Sequence, residues 1–96
     1  VLEKTSEKLL EKKLKTEISK LDGLCIKLAS PYFTGMPDRI ILMPGGRSYF
    51  AELKSSGGRL SSRQKLVHEL LEKLGHAVVV IDSHKGLDDF IKNLPR

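Results

Sequence analysis

A strand, a helix and a second strand follow one another between Ser48 and Asp82, and this unit limits the available folds more than any other stretch. Ser48 to Lys54 reads as a strand. Ser61-Ser62-Arg63-Gln64 opens a helix whose apolar stripe is Val67, Leu70, Leu71 and Leu74, and Gly75 closes it. Ala77 to Asp82 is almost entirely apolar, the pattern of a strand covered on both faces. Two strands joined through a helix in one sheet run parallel with a right-handed crossover. The chain is therefore predicted to be an α/β protein.

The remaining segments extend this unit without adding a second core. From Ser6 to Leu21, Leu10, Leu14, Ile18 and Leu21 recur at helical spacing, and Asp22-Gly23 ends that helix. Leu24 to Leu28 is a short strand. A loop with Pro31, Gly35 and Pro37 follows, and Arg39 to Met43 then pairs with the Ser48 strand through Pro44-Gly45-Gly46-Arg47, a hairpin signal. Ser55 to Arg59 reads as a flexible basic loop, and Leu87, Phe90, Ile91 and Leu94 mark a last short helix. The order α-β-β-β-α-β-α predicts one domain over residues 1–96, with a mixed sheet flanked by helices on both faces.

Charge and cysteine content narrow the function. A net charge of +5 suits a polyanionic partner, and equally a solvated basic surface. Cys25 is the only cysteine, which excludes an internal disulfide and a cysteine-rich zinc site. Its neighbours Leu24 and Ile26 predict a buried thiol, in keeping with a reducing cytoplasm. No apolar run is long enough to span a bilayer and no signal peptide is visible, so no membrane association and a cytoplasmic location are expected.

The chemistry concentrates in Gly35-Met36-Pro37-Asp38-Arg39 and Glu52-Leu53-Lys54. Alternate residues of a strand share a face, so Glu52 and Lys54 point the same way as Phe50. A three-residue hairpin loop, Pro44 to Gly46, sets Asp38 across from Glu52, whereas a two-residue loop sets it across from Leu53. The first is favoured because the last loop glycine can adopt the left-handed conformation required. Adjacent carboxylates repel unless a cation lies between them or one is protonated, and a hard divalent ion, Mg²⁺ or Mn²⁺, resolves the conflict. Such an ion polarises a phosphate oxygen and lowers the pKa of a bound water, and Lys54 beside it can stabilise the developing charge or orient that water. The bland reading is a surface Glu-Lys pair near a turn aspartate.

Glu7 and Glu11 fall on the apolar stripe of the first helix, where an acid either marks a frayed end, as expected of Glu7, or reaches a polar site, as is open to Glu11. Ser61-x-x-Gln64 is a capping box, although Gln64 also lies on the inner edge of its helix. His68, His76 and His84 lack metal-ligand spacing and are expected to be exposed or capping. Gly57-Gly58 reads as a mobile segment. Arg47, Arg59, Arg63 and Lys65 lie in or beside loops expected near the site and are candidates for DNA phosphate contact.

The run from Lys27 to Gln64 resembles the virus-type replication-repair nuclease (VRR-NUC) domain of the PD-(D/E)xK superfamily. The resemblance rests on Gly-x-Pro-Asp-Arg at 35–39, Phe-Ala-Glu-Leu-Lys at 50–54, Gly-Arg-Leu-Ser at 58–61 and Gln64. It extends to the Gly-Leu-Cys-Ile-Lys and Gly-His-Ala-Val-Val-Val strands. The resemblance implies a restriction-endonuclease-like α-β-β-β-α-β core. It implies a metal site of Asp38, Glu52 and the Leu53 backbone carbonyl, Lys54 as catalytic lysine, and Glu11, directly or through water, as the helix acid. It also brings Gln64 to the site. Arg39, beside Asp38, joins the candidates for DNA contact. The expected activity is that of a structure-selective, Mg²⁺- or Mn²⁺-dependent DNA endonuclease acting on branched DNA. A homodimeric four-way-junction resolvase of phage or prophage origin, in the bacterial host cytoplasm, fits best. A flap or nicking nuclease, or a silent DNA-binding module, is the alternative.

Overall fold

The protein was analysed as a computed structural model that describes residues 6–95. Its elements are α1 (Glu7–Lys20), β1 (Leu24–Lys27), β2 (Arg39–Met43), β3 (Arg47–Leu53), α2 (Ser62–Lys73), β4 (Ala77–Ile81) and α3 (His84–Lys92), in the order expected from the sequence. Each helix begins at a serine whose hydroxyl accepts a backbone N–H three residues on: Ser6 from Leu9, Ser61 from Gln64 and Ser83 from Gly86. After α1, Asp22 takes a positive φ of 63°, and the Gly23 N–H returns to the Ile18 carbonyl, so the chain reverses directly into β1.

The four strands form one sheet in the order β1-β2-β3-β4. The first three are antiparallel neighbours, and β4 joins β3 in parallel after the crossover through α2. The pleat then sorts residues by face. Ile41, Ala51, Leu53 and Ile81 point to one side, where they pack with Leu10, Leu14 and Ile18 of α1, Leu87 of α3, and Leu94. Tyr49 meets Phe90 edge to face there, ring centroids 5.6 Å apart. Residues of opposite parity face α2: Glu52 projects to Gln64 and His68 of that helix. Helices thus stand on both faces, with α2 covering only part of its own.

Two expectations about burial need correction. Ala77–Ile81 is an edge strand: Ile81 is fully buried, but Val80 is 42% exposed. Its apolar run reflects a core on one side and only partial cover by α2 on the other. Cys25 is half-buried, because β1 forms the opposite edge and leaves Leu24 and Ile26 exposed. Burial nevertheless pushes its thiol pKa up, as for an unreactive thiol.

Candidate active site

The β2–β3 hairpin brings the acids together. Met43 pairs with Arg47, leaving Pro44-Gly45-Gly46 as a three-residue loop, and Gly46 closes it at φ 79°, where a side chain would be strained. Arg39 pairs with Ala51, so one further step sets Asp38 across from Glu52. That is the register favoured from the sequence. Asp38 is held on two sides: its carbonyl accepts the Leu28 N–H at 2.8 Å, and its Oδ1 accepts the Leu53 N–H at 3.1 Å.

Glu52 is only 4% exposed. Its Oε2 accepts a hydrogen bond from Gln64 Nε2 at 3.2 Å and lies 3.5 Å from Lys54 Nζ. Its Oε1 is withdrawn from solvent without a hydrogen-bond partner. Burial, reinforced by the negative charge of Asp38, pushes the Glu52 carboxyl above its ordinary pKa, and Lys54 opposes the rise only in part. Burial also raises Asp38, against the pull of the Leu53 N–H and Arg39. Two half-desolvated carboxylates are therefore short of positive charge. An additional cation between them fits this donor set, and the orphaned Oε1 is an acceptor ready for one. No group of three or more His, Cys, Asp or Glu side chains able to hold a metal occurs among the described residues. A pair of carboxylates suits a hard ion that keeps several waters better than it suits zinc.

The structure gives Arg39 a different setting from the phosphate contact expected of it. Its side chain is 5% exposed, its Nη2 is bonded to Glu11 Oε2, and its Nη1 donates to the Asp38 carbonyl at 2.9 Å. The guanidinium lies between α1 and the start of β2 and presents no open cation to DNA. Glu11 accordingly reaches the site through Arg39, one residue from Asp38, and is engaged by that arginine rather than facing Asp38 and Glu52 directly. Glu7 is exposed in the first turn of α1.

Gln64 does both things its sequence position left open. Its Oε1 accepts the Ser61 N–H at 2.9 Å, completing the capping box, while its Nε2 donates to Glu52. The two ends of one amide thereby join the start of α2 to the end of β3.

The basic residues divide. Arg59 and Lys65 are exposed, the first in the loop after β3 and the second beside Gln64. Arg63 is exposed too, but its Nε donates to the Thr34 carbonyl at 3.1 Å and its guanidinium stacks on Phe33, 5.1 Å from the ring centroid. It fastens the 30–37 loop to α2. Arg47 does not lie near the acids, as had been expected: it stands at the other end of the hairpin, five strand residues, or roughly 17 Å, from Asp38. The Ser55–Gly58 segment is a hydrogen-bonded turn, with the Gly58 N–H on the Ser55 carbonyl at 2.8 Å, and it packs against the stem of Lys54.

His68 is the residue the sequence reading missed. It is 5% exposed, not on the surface, and its Nε2 points at Glu52 Oε1 from 3.9 Å. The signal was available: His68 lies four residues after Gln64 and therefore on the same face of α2. His76 and His84 are exposed, as expected, with His76 edge-on to Phe50.

No family model matches the sequence. The chain is 39% identical over 77 residues to the protein named "Putative nuclease p44" of Acyrthosiphon pisum secondary endosymbiont phage 1. That alignment covers 80% of this chain and 83% of the phage protein. Among solved structures it is similar to a VRR_NUC domain, with a TM-score of 0.88 and 30% identity, over 95% of this chain and 99% of that one.

Proposed function

Because the chain belongs to the VRR-NUC nuclease family, we propose that it is a divalent-metal-dependent, structure-selective DNA endonuclease, of the four-way (Holliday) junction resolvase type. The observation that carries the metal-dependent chemistry is the pairing of Asp38 with a nearly buried Glu52, both pushed above their ordinary pKa by burial, with Lys54 on the same face.

Asp38, Glu52 and the Leu53 carbonyl would hold Mg²⁺ or Mn²⁺, which when bound polarises a phosphate oxygen and lowers the pKa of water. Glu52 and Asp38 supply the negative charge, and Gln64 restrains the Glu52 carboxylate from α2. Lys54 lies 3.5 Å from Glu52 and is drawn to that carboxylate. With a metal ion held there, the Lys54 ammonium would be placed to meet the negative charge that develops on the scissile phosphate. Arg63 and Lys65 of α2, and Arg59 in the loop before it, are exposed cations and suit the flanking backbone. Symmetric cutting of a four-way junction requires two sites, which a two-fold homodimer provides. The phage relative favours action in a bacterial host's cytoplasm, and no helix among the described residues is long and apolar enough to cross a membrane.

The test is cleavage of linear, flap, forked and four-way DNA with and without Mg²⁺ or Mn²⁺, paired with sedimentation equilibrium at micromolar protein. Paired cuts in the four-way substrate by a dimer, abolished by chelation, are expected. A monomer that nicks linear and four-way DNA equally well would leave a nuclease but remove the resolvase assignment.

A further inference from the structure

Resting on the metal-dependent reading above, we infer that His68 is a positioning residue for Glu52, gripping its Oε1 through an Nε2–H donor while Gln64 grips Oε2. Among buried side-chain atoms of the described residues, Glu52 Oε1 and His68 Nε2 are the two that lack a hydrogen-bond partner. They face each other at 3.9 Å, with both residues about 95% withdrawn from solvent. That separation is too long for a hydrogen bond and needs about 1 Å of closure to become one.

The geometry on α2 supports the assignment. Gln64 and His68 are one helical turn apart, so their donors approach the two oxygens of a single carboxylate from one rigid element. Gln64 is itself restrained by the Ser61 backbone. An imidazole carries an N–H on at least one ring nitrogen, and Nε2 is the nitrogen turned towards Glu52. A carboxylate has about four lone-pair sites, so two donors from α2 leave others for a metal ion. Donors of this kind orient a ligand and fix its rotamer without touching the metal. Lys54 makes a different contact, from just past the end of β3.

The test compares His68→Gln, whose amide nitrogen occupies nearly the place of Nε2, with His68→Asn, whose amide is too short to reach Glu52. Mn²⁺ affinity is measured by calorimetry on folded protein, with kcat and KM measured alongside. The Asn variant should bind Mn²⁺ roughly 10-fold more weakly and lose kcat with KM little changed, and the Gln variant should recover most of both. Equal affinity of Asn and Gln variants, in a wild type that does bind Mn²⁺, overturns the role of His68 and leaves the metal site standing. A wild type that binds no Mn²⁺ overturns the metal reading and this inference with it. ¹⁵N spectra of the histidine-labelled wild type decide the matter even if a variant fails to fold. A proton on Nε2 is expected, and a ring protonated only on Nδ1 cannot donate to Glu52 and overturns the proposal.

Discussion

Glu52 carries its charge where water scarcely reaches, and the side chains around it follow from that one difficulty. Lys54 and Gln64 each answer part of it, and the remainder appears as the raised pKa of Glu52 and Asp38. A carboxyl whose folded pKa lies above its unfolded one binds its proton more readily in the folded state. Metal-free stability should therefore decline as pH rises from the ordinary carboxylate range through the raised values. Melting temperatures across that window should fall more steeply for the wild type than for the Asp38→Asn, Glu52→Gln double variant. Parallel curves would deny the raised pair. Asp38→Ala and Glu52→Ala should each abolish cleavage and weaken Mn²⁺ binding while preserving the fold. The two roles of Gln64 can also be separated. Ser61→Ala removes only the cap and should cost about 1 kcal/mol with cleavage retained. Gln64→Glu keeps an acceptor for the Ser61 N–H but turns a carboxylate towards Glu52, and should lower kcat on the order of 10-fold. Cleavage by Gln64→Glu at the wild-type rate would confine Gln64 to capping.

At the scale of elements, the hairpin and the helices differed in how openly the sequence announced them. The loop glycines, the apolar stripes and the Ser61 capping box are local signals; they indicated the element order and favoured, over one alternative, the register that pairs Asp38 with Glu52. What the sequence left obscure depended on which element packs against which. Nothing near Arg39 announces that Glu11, on a helix 28 residues away, occupies its guanidinium. Nothing in the apolar run at Ala77–Ile81 distinguishes an edge strand from a central one, and Arg47 stands beside the hairpin loop, at the opposite end of the strands from Asp38. His68 is obscure for another reason: the three histidines show no metal-ligand spacing, and spacing along the chain does not reveal that α2 turns this one towards Glu52. The Glu11–Arg39 pair should be worth testing as a strut between α1 and β2. Glu11→Ala leaves a nearly buried guanidinium without its carboxylate. Glu11 is about a third exposed, so water offsets part of the loss, and roughly 2 kcal/mol of destabilisation by urea unfolding is expected. An unchanged midpoint would show that the pair does not support the fold.

For the whole molecule, the arrangement of the sheet sets what is close in space against what is close along the chain. Asp38, Glu52 and Lys54 belong to one hairpin with a three-residue loop, whereas β3 and β4 meet only after residues 54–76 have crossed over. Tight hairpins close in about 1–10 μs, and pairings that enclose long segments come later because loop closure must precede any gain from contact. In kinetic terms the two acids are neighbours before the sheet that buries them is complete, and at that stage they repel in water with α2 not yet in place. A divalent cation should then act on the folding rate as well as on the unfolding rate. In stopped-flow refolding from urea, Mn²⁺ is expected to speed the folding arm for the wild type and to leave the Asp38→Asn, Glu52→Gln variant unchanged. An ion that slows unfolding alone would mean that the hairpin closes only after the rate-limiting barrier has been crossed.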